Sequence, residues 1–410
     1  MELRRIGGYD ALILVSVIWF LGKFARYLFP PLFGPLQSTY GLSNATIGAA
    51  FSGFMIAYAL MQFPSGAVAD RIGPVPVVVG GASVAGVGAL ALVVDSPFAA
   101  LVAAMAVIGV GTGVHKTVAV RLLARVYPAR MGRMLGIHDT LGALSGVVAP
   151  AVVVAFLSPP AALALALDRL PGADWRALFL LTGIAFLALA LVSALRLGGR
   201  FARERPATDS GDTESVGARE YLRQFGDRRF SAFVSVTVGV SFAHNGLVAF
   251  LPLYLAEEVG LATSTAGLLY SVLFAVALVQ LLSGDLSDRV GRFPVMVATS
   301  GLAAAGLAAL VALPPLDVGV VAAAVAVAGF GVGSHGFQPV RSAYLMELLP
   351  ERLAGGGLGV VRTLLMGAGA LAPGIVGVVA DTAGFRPAFG LLAAVLAVSA
   401  AGTVALWVTG

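Results

Sequence analysis

The chain has 410 residues, of which 59% are hydrophobic and 11% charged, and its mean hydropathy is +0.94. Soluble domains carry about 25% charged residues, so this chain cannot keep a surface wet; a soluble enzyme, a secreted domain and a disordered chain are excluded, and a polytopic helical membrane protein remains. The formal net charge is +5 and there is no cysteine: the basic residues are dispersed in short loops, which excludes a nucleic-acid partner, and no disulfide, thiolate metal site or cysteine nucleophile is possible.

Apolar runs broken at polar, Gly or Pro clusters predict twelve transmembrane helices, at 9–33, 43–64, 75–94, 98–122, 133–157, 175–195, 229–254, 264–283, 294–313, 317–341, 356–380 and 386–408. β-Barrel strands would be shorter and alternating. The first span carries Lys23 and Arg26 among Trp19, Phe20, Phe24 and Tyr27, and is too long for a signal-peptide core. The second holds Gln62 and is followed by GAVADRIG, Gly66–Gly73, with Asp70 and Arg71. The fourth reads GVGTGVHK through Gly109, Gly111, Gly113, His115 and Lys116, and ends near Arg121; the fifth carries His138 and Asp139. The polar stretch 196–228 is a predicted linker, with a short surface helix at Ala218–Phe225. It divides the chain into six-helix bundles at 1–195 and 229–410. The seventh span brings His244, Asn245 and Phe250, and the eighth Gln280, followed by GDLSDRVGR, Gly284–Arg292, with Asp288 and Arg289. The tenth brings His335 and Arg341, the eleventh Arg362.

With the N-terminus inside, nineteen of 24 arginines fall on the cytoplasmic side and only Arg169, Arg176 and Arg386 outside. This is the positive-inside asymmetry; it predicts a multi-pass plasma-membrane protein with both termini cytoplasmic. Glu257, Glu258, Asp317 and Asp381 then lie at the outer side, where acids cost nothing.

The halves repeat each other. Gly41-Leu42 matches Gly260-Leu261; Gly66, Asp70-Arg71, Gly73 and Pro76 match Gly284, Asp288-Arg289, Gly291 and Pro294. Gly109, Gly111, Gly113, His115 and Arg121 are matched with Gly329, Gly331, Gly333, His335 and Arg341, and Gly136 and Pro150 with Gly359 and Pro373. Phe29 matches Phe250, which makes Lys23 and His244 equivalent. Parallel six-helix repeats are a transporter architecture, with the site between halves that rock around it.

Two DR-containing loops in equivalent places carry a family likeness. Gly66–Gly73 and Gly284–Arg292 resemble the GxxxDRxGR motif of the major facilitator superfamily, and the twelve spans, the repeat and the linker agree across the whole chain. The first copy departs from the pattern, with Pro74-Val75 where a basic residue usually stands. The resemblance implies an all-α fold of two pseudo-symmetric six-helix bundles, with spans 1, 4, 7 and 10 lining the cavity. Asp70 and Asp288 are expected to latch Arg121 and Arg341, with Arg71 and Arg289 beside them as gating charges and Asp288 the more important acid. Gly66 and Gly284 are expected at close helix approaches.

Intramembrane ionisable residues default to functional candidates. Four cations, Lys23, Arg26, Lys116 and Arg362, face one clear acid, Asp139. A buried unpaired charge is costly, so the surplus points to an anionic ligand. Lys23, Arg26, His115, His244, Asn245, Gln280, His335 and Arg362 are the expected substrate-binding set. Coupling falls to His138, Asp139 and Lys116, with Lys116 a partner for Asp139; His138 is open between a proton carrier and a plain helix–helix hydrogen bond. No HExxH, GxSxG or Walker loop occurs, so no enzyme and no cofactor is expected, and transport must run on a proton or sodium gradient. The reading is a monomeric secondary transporter of a small anion or organic anion; the alternative on the same fold is a multidrug/proton antiporter.

Overall fold

The computed structural model describes residues 9–159, 175–201, 224–314, 319–349 and 354–409. Among these it is all-α, with twelve helices long and apolar enough to cross a membrane. They are α1 Asp10–Tyr40, α2 Asn44–Ile72, α3 Pro74–Ala91, α4 Phe98–Val126, α5 Met131–Leu157, α6 Arg176–Phe201, α7 Arg228–Glu257, α8 Thr263–Val290, α9 Arg292–Ala312, α10 Val320–Leu348, α11 Ala354–Ala383 and α12 Phe385–Val408. α4 is interrupted at Val114, between Phe98–Gly113 and His115–Val126, and α8 passes through a 3₁₀ turn at Val276–Leu278.

Each predicted span has its helix, but several helices run longer than hydropathy suggests. α1 continues through Pro30, Pro31 and Pro35 to Tyr40 and stops at Gly41. α6 continues to Phe201, inside the predicted linker, and α7 begins at Arg228, capped by Asp227, whose carboxylate accepts from the Phe230 N–H at 2.9 Å. Polar helix turns beyond the hydrocarbon are invisible to a hydropathy reading. Residues 202–223, most of the predicted linker and of the surface helix at Ala218–Phe225, lie outside the described residues.

The chain divides into two compact units, Met1–Gly41 with Gly53–Asp209, and Leu42–Ser52 with Ser210–Gly410. In the first, α1 packs on α5, and α3 on α4 and α6. Phe29 is its pivot, 5.5 Å from Phe54 and 5.3 Å from Phe179 between ring centroids. In the second, α7 packs on α11 and α12, and α9 on α10 and α12. Tyr254 stacks on Phe389 at 3.9 Å and donates to the Leu310 carbonyl.

The repeat is visible in backbone detail. Gly73 and Gly291 end α2 and α8 with φ of 88° and 93°, a region that L side chains rarely enter, so both motif loops turn on the same residue. Arg176 holds Asp95 at 2.7 Å at the start of α6, and Arg386 donates to the Val311 carbonyl at 3.1 Å at the start of α12.

Candidate functional site

In the first unit, α1, α4 and α5 bring the polar residues together around Trp19. Its ring centroid lies 6.1 Å from that of His115 and 5.6 Å from that of His138, and the two imidazoles are 6.0 Å apart. The close approach of α5 is made possible by Gly142, where a Cβ would meet Trp19 Nε1 at 2.1 Å. His115 Nε2 is 2.8 Å from the Val15 carbonyl. A carbonyl only accepts, so Nε2 carries the proton and Nδ1 of the neutral ring is a bare lone pair. His138 Nδ1 lies 3.2 Å from Ser16 Oγ, the helix–helix hydrogen bond that was one of its two readings. Three ring nitrogens, Trp19 Nε1, His115 Nδ1 and His138 Nε2, are buried without a hydrogen-bond partner, an uncommon state for buried polar atoms.

Lys116 forms an ion pair with Asp139 across α4 and α5. Its ammonium also lies 5.1 Å from the Trp19 ring centroid, and that of Lys23 lies 5.4 Å from it and 5.8 Å from Tyr27. The acid is thus spent on Lys116, and Lys23 has cation–π contacts but no carboxylate among the described residues. Arg26 packs against Tyr27 at 5.7 Å.

In the second unit, His244 on α7 sits 3.0 Å from Ser334 Oγ and 5.4 Å, between centroids, from His335 on α10. His335 Nδ1 is 3.5 Å from Gln338 Nε2. Asn245 Nδ2 donates to the Ser241 carbonyl, one turn back on its own helix. The Gln280 side chain brings no hydrogen bond to this group. Arg362 is exposed and has no acidic partner among the described residues. It stands three residues after Gly359, as Asp139 does after the matched Gly136, so the position of the acid in one unit holds a cation in the other.

The match of His115 with His335 is corrected by the packing. Gly111 lies against Ala85, where a Cβ would be 2.4 Å from its nitrogen, and Gly333 against Ala303, at 2.3 Å. Ala85 and Ala303 each stand nine residues after the matched prolines Pro76 and Pro294. Gly109 lies against the Phe54 carbonyl and Gly331 against that of Leu273, thirteen residues after the matched Gly41 and Gly260. Thus Gly109-Val-Gly111-Thr112 corresponds to Gly331-Val-Gly333-Ser334, and the counterpart of His335 is Gly113. Glycine at every second position fits both registers in the sequence; only the neighbouring helices distinguish them.

The same slip explains the latches. Arg121 Nη1 is 2.6 Å from Asp70 and 3.2 Å from the Gly66 carbonyl. Asp288 forms no ion pair among the described residues, and Arg341 is not its partner. Two residues turn a helix by about 200°, which carries Arg341 off the face that Arg121 uses. The expected second latch is therefore absent. Arg289 pairs with Asp285 on its own helix at 2.8 Å, and Arg292 joins Glu347 on α10 at 2.5 Å. Arg71 is exposed and makes no ion pair among the described residues. Gly66 makes room for the Arg121 guanidinium and Gly284 faces open space, so neither is the helix crossing expected of it.

One residue was missed. Asp381, read as a costless outer acid, accepts from the N–H groups of Asn44 and Ala45 at 2.9 and 2.8 Å, capping α2 from α11. Beside it Ser52 Oγ accepts from Gly374 N–H, and Gly377 lies against the Asn44 carbonyl. A cap supplied from another helix leaves no local sequence signal. Losing a cap costs about 1 kcal/mol, so Asp381→Ala is expected to lower the thermal midpoint by a few degrees and Asp381→Asn by less, measured by unfolding in detergent.

Residues 15–373 match the family model for the Major Facilitator Superfamily. The chain is 26% identical over 272 residues to the "Probable sulfoacetate transporter SauU" of Cupriavidus necator, covering 62% of this chain and 59% of that protein. It is 22% identical over 268 residues to the "Multidrug resistance protein D" of Escherichia coli, covering 65% and 63%. The chain thus spans under two thirds of the length of these two relatives. The fold superposes on the crystal structure of a bacterial homolog of the human lysosomal transporter Spinster with a TM-score of 0.79, at 17% identity and over 97% of this chain and 96% of that one.

Proposed function

The chain belongs to the Major Facilitator Superfamily, and from that premise we propose that it is a secondary active transporter of a small organic anion, driven by protons. The observation that carries this reading is Lys23: a half-buried ammonium on α1, held by Trp19 and Tyr27, with no carboxylate among the described residues. Arg362 in the second unit, though exposed, likewise has no carboxylate among the described residues. A carboxylate or sulfonate supplies the missing charge, and charge-assisted hydrogen bonds are roughly twice as strong as neutral ones. His244 and His335, with Arg26 and Asn245, supply further donors; His115, whose proton is held by the Val15 carbonyl, and Gln280 bring no observed donor in support. The reading places the protein in the plasma membrane with both termini in the cytoplasm, following the arginine asymmetry. The sulfoacetate relative agrees in substrate charge. The multidrug relative keeps the antiporter reading open, but a cationic drug would meet unneutralised cations.

The test is uptake into proteoliposomes of labelled short carboxylates and sulfonates, with and without an inside-alkaline pH gradient, beside a cationic dye. Gradient-driven uptake of an organic anion is expected. Dye movement without anion uptake would replace this reading by the antiporter.

Coupling is assigned to the Lys116–Asp139 pair and His138 beside it. Protonation of Asp139 releases Lys116, and His138 lies one residue away with a buried nitrogen lacking a partner. Asp139→Asn is expected to abolish accumulation against a gradient while keeping substrate counterflow, since exchange needs no net proton movement. Loss of both would make the pair structural.

The single latch gives a further expectation. An exposed pair gives at most about 1 kcal/mol, enough to shift a two-state population about fivefold. Asp70→Asn is therefore expected to slow turnover a few-fold with unchanged substrate affinity, and Asp288→Asn to leave it unchanged. Spin-label distances at the Asp70 end of α2 and α4, which no native cysteine complicates, should widen only in the first. Equal behaviour of the two variants would remove the latch.

A further inference from the structure

At one end of the second unit, α7 and α12 enclose a cavity of about 370 Å³ that the transport reading does not use. Arg228 and Arg229 stand at its mouth, and Ala232, Val236, Ala405 and Leu406 line its wall. The wall is made of aliphatic side chains on both helices, and Gly402 brings α12 so close to α7 that a Cβ there would meet Val236 at 2.8 Å. The result is a narrow apolar groove with a cationic head, open to the surface.

The head is built rather than incidental. Arg229 donates from Nε to Tyr344 Oη at 2.9 Å and lies 5.6 Å from the Phe293 ring centroid. Tyr344 is itself wedged edge-on between Phe233 and Phe293, at 4.7 and 4.9 Å between centroids. These contacts orient the guanidinium but use only Nε; both Nη groups have no hydrogen bond, and Arg228 has no ion pair, among the described residues. Among the described residues, Asp227 caps α7 and Glu347 holds Arg292. An arginine positioned by three aromatic residues and without a carboxylate among the described residues is a fixed anion receptor.

We infer that this cavity binds an anionic phospholipid, its phosphate on Arg228 and Arg229 and an acyl chain along the groove between α7 and α12. The apolar groove argues for a lipid rather than a free anion, since a phosphate ion has no use for a wall of Ala, Val and Leu. The arginine asymmetry puts this end at the cytoplasmic leaflet, where anionic lipids meet basic pockets between helices.

The experiment is native mass spectrometry of the purified chain exposed to equal amounts of phosphatidylglycerol and phosphatidylcholine, with thermal unfolding in parallel. A several-fold preference for phosphatidylglycerol is expected, and a rise in midpoint that inorganic phosphate does not reproduce. R228Q with R229Q should remove the preference, while Arg125→Gln, an exposed arginine in the other unit, should keep it. Ala405→Phe, which fills the groove and leaves both arginines, should weaken retention as well. Tyr344→Phe, which frees Arg229 without removing charge, should reduce the preference less than the double variant. An undiminished preference in the double variant overturns the site, and full stabilisation by inorganic phosphate alone overturns the lipid as its occupant. None of these readouts depends on transport, so they stand or fall apart from the substrate reading.

Discussion

Lys23→Gln is expected to lower kcat/KM for the organic anion by one to two orders of magnitude while leaving the protein monodisperse and its thermal midpoint close to that of the parent. The size follows from removing one charge-assisted hydrogen bond, about 1.5–3 kcal/mol, where 1.4 kcal/mol is tenfold. Folding should survive because Lys23 has no ion-pair partner to strand among the described residues; its contacts with Trp19 and Tyr27 are cation–π interactions of about 0.5–1 kcal/mol at exposed sites. Lys116 is the informative contrast. It sits at a similar distance from Trp19 but is neutralised by Asp139, so Lys116→Gln should strand an acid and disturb coupling more than affinity. Unchanged kinetics in Lys23→Gln, with Arg125→Gln as control, would remove the anion from this site.

Gly142→Ala is expected to destabilise the first unit and to impair transport together. The added methyl would lie 2.1 Å from Trp19 Nε1 and 2.5 Å from Cδ1, far inside contact distance, so the indole must move away from its place beside His115 and His138. Overpacking of this kind costs about 1–3 kcal/mol. Trp19→Ala removes the indole with which the methyl collides, so the double variant should melt near the Trp19→Ala single variant rather than below it. Thermal unfolding of the four proteins forms the cycle, and uptake by each reports the ring cluster. Strict additivity would mean that α5 yields instead of the indole, and that Gly142 does not position Trp19.

The fold was legible because its cause is one-dimensional. Twenty apolar residues in a row must form a helix in lipid, since nothing else satisfies the backbone there, and the doubled DR loops announced the repeat. The Lys116–Asp139 pair was legible too, as an intramembrane acid among cations must find one of them. The Asp70–Arg121 contact followed from the motif. The second latch failed because a glycine in every second place conceals a two-residue slip.

By itself, then, the sequence determined the twelve helices, their repeat and the excess of cations within the spans. Each depends on residue type and spacing alone, through the cost of exposing backbone and charge to hydrocarbon. Tertiary structure alone decided the register of α10, the loss of the Asp288–Arg341 contact, the capping of α2 by Asp381 and the grouping of Trp19 with two imidazoles over Gly142. These depend on which face of a helix meets a neighbour. With about 100° of rotation per residue, a shift that leaves composition and hydropathy unchanged sends a side chain to the opposite side of its helix.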